Sequence, residues 1–280
     1  MAKSIGSVRV TDHDPTQLGR QFKKRLKEGK VQLGGMVFEY VRPSLVKLYR
    51  LAGFDFIYMD NEHVLMSGLP GTANFIQAAR DNGLPVIAKI PELGRAETGR
   101  LLDGGVVGIQ LPRTESREQL ETLVDYVKYP PVGSRAGAPL FGNVDYQWPA
   151  NSRQWLRDAD DASVVMAHIE TRTGLENFED IVATPHLDMV YVGVFDFSIS
   201  MGHPGGMDHP EVQKGMQHIL DLCLKHNVPF GTTTPSAESA RHWIRRGASF
   251  FEVVDELTLL AKGAAETVDM YREVIDENIQ

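Results

Sequence analysis

Two carboxylates, Glu170 and Asp196, stand where apolar runs give way to polar loops. Glu170 closes the run Val164-Val165-Met166-Ala167-His168-Ile169, and Asp196 follows Met189-Val190-Tyr191-Val192-Gly193-Val194 by two residues. Short β-branched runs of this kind read as buried strands, which places both acids at one carboxyl edge of a parallel sheet. Acids on consecutive strands can converge on one hard divalent cation, because oxygen donors suit such ions. The competing reading of each is a helix N-cap or a surface ion pair, since strand-to-helix loops commonly end in Asp. Another apolar run, Phe56 to Met59, leads into Asp60-Asn61-Glu62-His63. A lone histidine at a strand end is often structural, but one with acidic neighbours on the same rim can work as a base near neutral pH. Lys89 ends the run Pro85-Val86-Ile87-Ala88-Lys89-Ile90-Pro91. Such a lysine can be a Schiff-base nucleophile when desolvated, an ion-paired or snorkelling side chain, or a cation that neutralises an enolate. Asp103, before Gly104-Gly105 at the end of a helical stretch, is by itself an ordinary polar residue. Asp12-His13-Asp14 and the stretch His203 to Pro210 read as tail and loop chemistry rather than ligands, with Asp208 before Pro210 as a helix start.

The elements that position these groups recur with a clear rhythm. Apolar runs at Val31 to Phe38, Phe56 to Met59, Pro85 to Ile90, Val106 to Leu111, Val164 to Ile169, Met189 to Val194, Val228 to Thr232 and Phe250 to Val254 give eight expected strands. Helical patterns fill most gaps, for example Ser44 to Ala52 before Gly53, Glu97 to Leu102 before Gly104, and Ser236 to Arg246 before Gly247. Eight strand-then-helix units favour an α/β fold of the (β/α)8 TIM barrel type, whose chemistry sits at the carboxyl edge. No glycine-rich fingerprint follows the first strand, since Gly34-Gly35 fits no GxGxxG. An amphipathic helix is expected over Arg20 to Lys30 with Gly29 as its stop, which leaves residues 1–19 as a tail and 20–280 as one domain. The long gap from Tyr129 to about Asp161 is either an active-site cover or a surface excursion that packs on a neighbouring subunit. Thr258 to Ile279 has a helical pattern that could close the barrel or exchange with a partner.

Composition narrows the function classes. The chain has 280 residues, 42% of them hydrophobic and 24% charged, and no apolar stretch approaches the roughly 20 residues needed to span a bilayer, so no membrane role is expected. Met1 to Pro15 lacks the apolar core of a signal peptide and Cys223 is the only cysteine, which points to a cytoplasmic protein. A net charge of −8 with no basic stripe argues against nucleic acid as a partner. An acidic protein that handles an anionic substrate needs a local cation, and a metal would supply one.

Taken in order, Ala52-Gly53-Phe54-Asp55-Phe56 with Asp60-x-Glu62-His63, Tyr129-Pro130-Pro131-x-Gly133-x-Arg135, Ile169-Glu170-Thr171-Arg172-Thr173 and Gly193-x-x-Asp196-x-Ser198 resemble the HpcH/HpaI class II pyruvate aldolases. That group includes 4-hydroxy-2-oxoheptanedioate and 2-dehydro-3-deoxyglucarate aldolases and is related to macrophomate synthase. The resemblance runs from about Arg20 to Ala265. It implies a barrel of the phosphoenolpyruvate/pyruvate type, a homo-oligomer (a hexamer built as a trimer of dimers) and a C-terminal helix exchanged between subunits. It implies that Glu170 and Asp196 hold Mg2+, Mn2+ or Co2+, on which a 2-oxo acid such as pyruvate chelates and is stabilised as its enolate, with an aldehyde as the second substrate. By the same resemblance, His63 moves protons and is oriented by Asp103. Asp60 and Glu62 order water around the ion. His168 and backbone donors near Phe195 face the pyruvate.

The chain departs from the family pattern at Lys89, where the aldolases have arginine; at His168, where they usually have Gln; at Val194-Phe195, which replaces a Pro-Ala pair; and at Glu39, which replaces a small residue. Lysine keeps the charge but loses the planar fork that can bind two oxygens. These changes around one pocket imply an altered substrate. The leading expectation is a metal-dependent carbon–carbon lyase. Its alternatives are a class I lyase acting through Lys89, a citrate- or malyl-thioester lyase, and a non-catalytic protein that binds 2-oxo acids.

Overall fold

The computed structural model describes residues 15–64 and 69–277. Its elements in chain order are α1 (Pro15–Lys27), β1 (Gln32–Val37), α2 (Pro43–Ala52), β2 (Phe56–Asp60), α3 (Leu69–Asp81), β3 (Val86–Lys89), α4 (Arg95–Gly104), β4 (Gly108–Leu111), α5 (Arg117–Val127) and α6 (Ser152–Ala162). There follow β5 (Val164–Ile169), α7 (Arg172–Glu176), α8 (Phe178–Val182), β6 (Met189–Val192), α9 (Val194–Ser200), α10 (Pro210–Lys225), β7 (Phe230–Thr232), α11 (Ala237–Ile244), β8 (Phe250–Asp255) and α12 (Glu256–Glu277). The strands pair in sequence order, all parallel, and β8 closes on β1. The expected (β/α)8 barrel is therefore the fold.

Strand periodicity sorts the apolar side chains into two cores. Ile57, Met59, Ala88, Val165, Ala167, Val190 and Phe251 face outward and pack with the surrounding helices. Their alternating neighbours Phe56, Tyr58, Ile87, Val164, Met166, Met189, Tyr191 and Phe250 fill the barrel interior. Continuing the inward parity toward the carboxyl edge brings in Asp60, Lys89, His168 and Glu252, all buried. Gly34 and Gly231 make room for this interior, since a Cβ on either would lie 2.3 Å from the ring of Phe56 or Phe250. At the opposite edge, Leu18, Phe22 and Leu26 of α1 join the inner core and plug the barrel. Within the described residues that helix spans Pro15–Lys27, so it reaches back beyond the expected Arg20.

Several other boundaries differ from those expected. The run from Met189 ends as a strand at Val192, and Val194 opens α9 instead, with Gly193 as its N-cap. Gly104 is the last residue of α4, and Gly105, at φ 106°, makes the left-handed stop. Helix α10 is capped by His209, not by Asp208. The long segment between α5 and β5 carries a turn of 3-10 helix at Gly142–Val144 and then α6. It runs along the amino-terminal side, with Arg20 paired to Asp158 at 3.0 Å and Arg80 bonded to the Gly142 carbonyl at 2.9 Å, so it does not cover its own barrel mouth. At the start of α12, the Glu256 carboxylate accepts the backbone N–H groups of Phe38 at 3.0 Å, Glu39 at 2.6 Å and Tyr40 at 3.0 Å. Beyond Glu256 the helix stands off the barrel with every side chain exposed to Glu277, including Leu259, Leu260, Met270, Tyr271, Val274 and Ile275. It does not close the barrel. Ile279 and Asp12-His13-Asp14 lie outside the described residues.

Candidate active site

The polar groups converge at the carboxyl edge because each follows, or ends, a strand whose preceding residues are locked in the core. A cavity of about 220 Å³ opens there, lined by Asp60, His63, Lys89, His168, Asp196 and Glu252 among others. Asp60 is buried, and its Oδ1 accepts the backbone N–H groups of Glu62 and His63, each at 2.8 Å. One carboxylate thus folds the turn that carries the histidine. Lys89 Nζ lies 2.5 Å from Glu62 Oε2, 3.6 Å from Asp60 Oδ2 and 3.3 Å from His63 Nε2. Burial works against its charge, but Glu62, Asp60 and Glu170 outweigh that cost and raise its pKa above the ordinary lysine value.

Glu170 is buried just beyond β5. Its Oε1 accepts the backbone N–H of Arg113 at 2.7 Å, and its Oε2 lies 3.2 Å from His168 Nε2. Burial pushes its pKa up, against the pull of Lys89 and the Arg113 amide, and the like charges of Glu62 and Asp196 push the same way. Asp196, exposed in the first turn of α9, makes no hydrogen bond or ion pair among the described residues. Two carboxylates that repel one another, one of them without a partner, fit a divalent cation with oxygen preference; substrate and water oxygens would complete its shell. His168 packs edge-on against Tyr191 at 4.9 Å, and burial, then Lys89 and His63, hold its pKa well below the ordinary value. It is therefore a neutral ring. Gly193 makes space for it, because a Cβ there would lie 2.2 Å from His168 Nε2.

Most of the sequence-derived site gathers here: Asp60, Glu62, His63, Lys89, His168, Glu170, Val194, Phe195 and Asp196 share this end of the barrel. Two assignments need correction. Asp103 sits in the last turn of α4, where its carboxylate accepts from Arg135 at 2.9 Å. A barrel helix runs back against its strand, so its last turn lies at the amino edge, away from His63, and within one chain Asp103 does not orient that ring. Glu39 is exposed and does not line the cavity; its backbone is held by Glu256. The acid that does enter the pocket unannounced is Glu252, whose pKa is pushed up to about 8 by burial. It was hidden inside an apolar run, and the period-2 alternation with Phe250 was the signal that aims it inward. Tyr58, Tyr191, Thr233 and Met207 also line the cavity without having been singled out.

A second group, His203, His209 and Glu211, brings one ligand atom from each within 4.8 Å of the others. Local structure accounts for it. His209 accepts the Glu211 N–H as the cap of α10, and His203 Nε2 pairs with Glu211 at 2.6 Å.

Comparison with known proteins follows the same outline. The family described as HpcH/HpaI aldolase/citrate lyase matches residues 35–262. The 5-keto-4-deoxy-D-glucarate aldolase of Escherichia coli (strain K12 / DH10B) is 28% identical over 262 residues, which cover 90% of this chain and 97% of that one. Among solved structures, an HpcH/HpaI aldolase from Desulfitobacterium hafniense DCB-2 is 28% identical with a TM-score of 0.85, covering 90% of this chain and 96% of that one. The citrate synthase SbnG is 25% identical with a TM-score of 0.82, covering 91% and 98%.

Proposed function

Since the chain belongs to the HpcH/HpaI aldolase/citrate lyase family and is a carbon–carbon lyase, we propose that it makes or breaks a bond next to the keto group of a small 2-oxo acid, with pyruvate or a close analogue as donor. The observation that carries this reading is Asp196, which has no hydrogen-bond or ion-pair partner among the described residues, lines the cavity with Lys89 and is close enough to buried Glu170 to help raise its pKa. A divalent cation held by those two acids would polarise the donor's keto group as a Lewis acid. Lys89, kept charged by Glu62 and Asp60, stands ready to stabilise negative charge developing on the enolate oxygen. Neutral His168 and the first-turn amides of α9, which have no helical acceptor, can bind the donor carboxylate. His63, more than half exposed at the mouth and 3.3 Å from Lys89, moves the proton between the donor and the incoming carbonyl compound.

The class I alternative is disfavoured by the same geometry. A lysine whose pKa is raised by three acids stays protonated, and a protonated amine is no nucleophile. Likeness to a citrate synthase favours one second reading, in which the acceptor is a keto acid rather than an aldehyde. The pairing of His63 with Asp103 cannot be met inside one chain, so only a neighbouring copy could bring an Asp103 to that ring. The exposed apolar face of α12 is a surface that such an assembly would cover. Exchange of the pyruvate methyl protons with deuterated water, followed by NMR with Mg2+ or Mn2+ and again in excess EDTA, tests the reading without needing the acceptor. Metal-dependent exchange is expected. Exchange that survives EDTA would restore the imine through Lys89, and none in either condition would remove pyruvate as donor.

A further inference from the structure

Directly beneath the ionic groups, the barrel interior is polar where its neighbouring layer is apolar. Tyr58, Gln110, Tyr191 and Glu252 come one each from β2, β4, β6 and β8, the alternate-strand composition of a single barrel layer. Barrel layers are ordinarily filled with branched aliphatic side chains. All four residues are buried, Gln110 at 0% and Glu252 at 1% exposure. Tyr191 and Gln110 lie beside Glu252 and interact with it, and Tyr191 also bonds to the Thr233 hydroxyl. Even so, Glu252 Oε1 is left without a hydrogen-bond partner among the described residues. A buried polar atom left unpaired costs about 1–3 kcal/mol, and one that lines a cavity can recover that cost from a ligand. Glu252 lines the cavity together with Tyr58 and Tyr191.

We propose that Glu252, with Tyr191, forms a floor subsite that selects a donor 2-oxo acid bearing a hydroxyl group on the carbon beside its keto group. This inference rests on the lyase reading above and specifies the donor. Three features argue for it. Glu252 and Tyr191 line the same cavity as Lys89 and His168, the groups assigned above to the donor, whereas His63 and Phe195 are exposed at its mouth. A cavity of about 220 Å³ suits an acid of three or four carbons rather than a long chain. A hydroxyl group both donates and accepts, which matches a neutral carboxyl group. Burial keeps Glu252 in its neutral form at pH 7, so it can offer an O–H as well as an oxygen. A methyl group in the same place would leave those atoms buried and unpaired.

The test compares three probes of similar size, pyruvate, 3-hydroxypyruvate and 2-oxobutanoate, on the full-length protein in Mg2+. Dissociation constants come from calorimetry and C3 proton exchange from NMR. The apolar control 2-oxobutanoate separates hydrogen bonding from bulk. Wild type is expected to bind 3-hydroxypyruvate at least ~10-fold more tightly than 2-oxobutanoate, since a site built to hydrogen-bond a hydroxyl rejects its apolar isostere. Glu252→Leu should erase that preference, read as the ratio of the two dissociation constants, and Glu252→Gln, nearly isosteric, should keep most of it. Melting curves of both variants verify folding, and the glutamine variant keeps the comparison open if the leucine variant fails to fold. Binding of pyruvate without a hydroxyl preference, or a preference that persists in Glu252→Leu, overturns this inference alone. Failure of all three acids to bind overturns it together with the lyase reading.

Discussion

The two ends of the barrel are built from the same strands and obey opposite rules. At the amino edge, inward-facing Phe56, Val164 and Phe250 meet Leu18, Phe22 and Leu26 of α1 in a dry plug. Further along the same strands, the inward positions become Asp60, His168 and Glu252, with Lys89 beside them. The first arrangement lowers free energy by removing apolar surface from water. The second costs free energy, since acids are desolvated and crowd one another around a single ammonium group. Stability is thus concentrated at the end that does no chemistry, and the site draws on it.

The contrast can be broken most sharply at Glu170. Glu170→Ala should weaken divalent-metal binding by more than about 100-fold, beyond the usual effect of an outer-shell change, while leaving the melting temperature near or above that of wild type. Calorimetric titration with Mn2+ measures this, and full affinity in the variant would sink the assignment. The complementary break is Phe22→Ala, which should cost about 3–5 kcal/mol in urea unfolding and leave metal affinity unchanged in the folded protein. A metal affinity that fell with the plug would mean that the two ends are coupled.

Glu252 sharpens the comparison through pH. Its pKa is raised from 4.5 to about 8 in the folded state, so the folded protein holds a proton that the unfolded chain releases earlier. The associated stability is therefore greatest below about 4.5 and is lost as pH rises to about 8, at up to about 1.4 kcal/mol per pH unit. Lys89 and Asp60 also bear on this group, and Tyr58 and Tyr191 pack with it. Subtracting the stability profile of Glu252→Gln from that of wild type isolates the effect, and parallel profiles from pH 5 to 9 would disprove it. The smallest expected change is at Lys89. Lys89→Arg should raise pyruvate proton exchange severalfold if the position only stabilises an enolate, because the planar fork reaches two oxygens. Loss of exchange would instead assign the amine a chemical part of its own.

Much of this was legible in the chain because strands in a parallel barrel are buried on both faces and write themselves as apolar runs. The same logic put Glu170 and Asp196 at the carboxyl edge, since a polar residue that ends such a run emerges where the strand does. Glu252 was not legible, because one acid inside Phe250 to Val254 does not alter the run, and only the closed barrel reveals which parity faces inward. Asp103 lies apart from His63 within one chain for a different reason. A likeness between sequences transfers a residue's role without saying which copy of the chain supplies it, and the direction of α4 carries this one to the far edge. The plug helix was partly visible as an amphipathic pattern, but its target was not, since nothing in the spacing of Leu18, Phe22 and Leu26 names the surface they fill.

The Glu256 carboxylate, which gathers the amides of Phe38, Glu39 and Tyr40, makes those three groups a single kinetic unit. Protection of each against hydrogen exchange depends on one event, the departure of one side chain at the root of α12, rather than on three local fluctuations. Phe38 belongs to the cavity wall, so the opening frequency of that wall is set at the first residue of a helix whose own surface faces solvent.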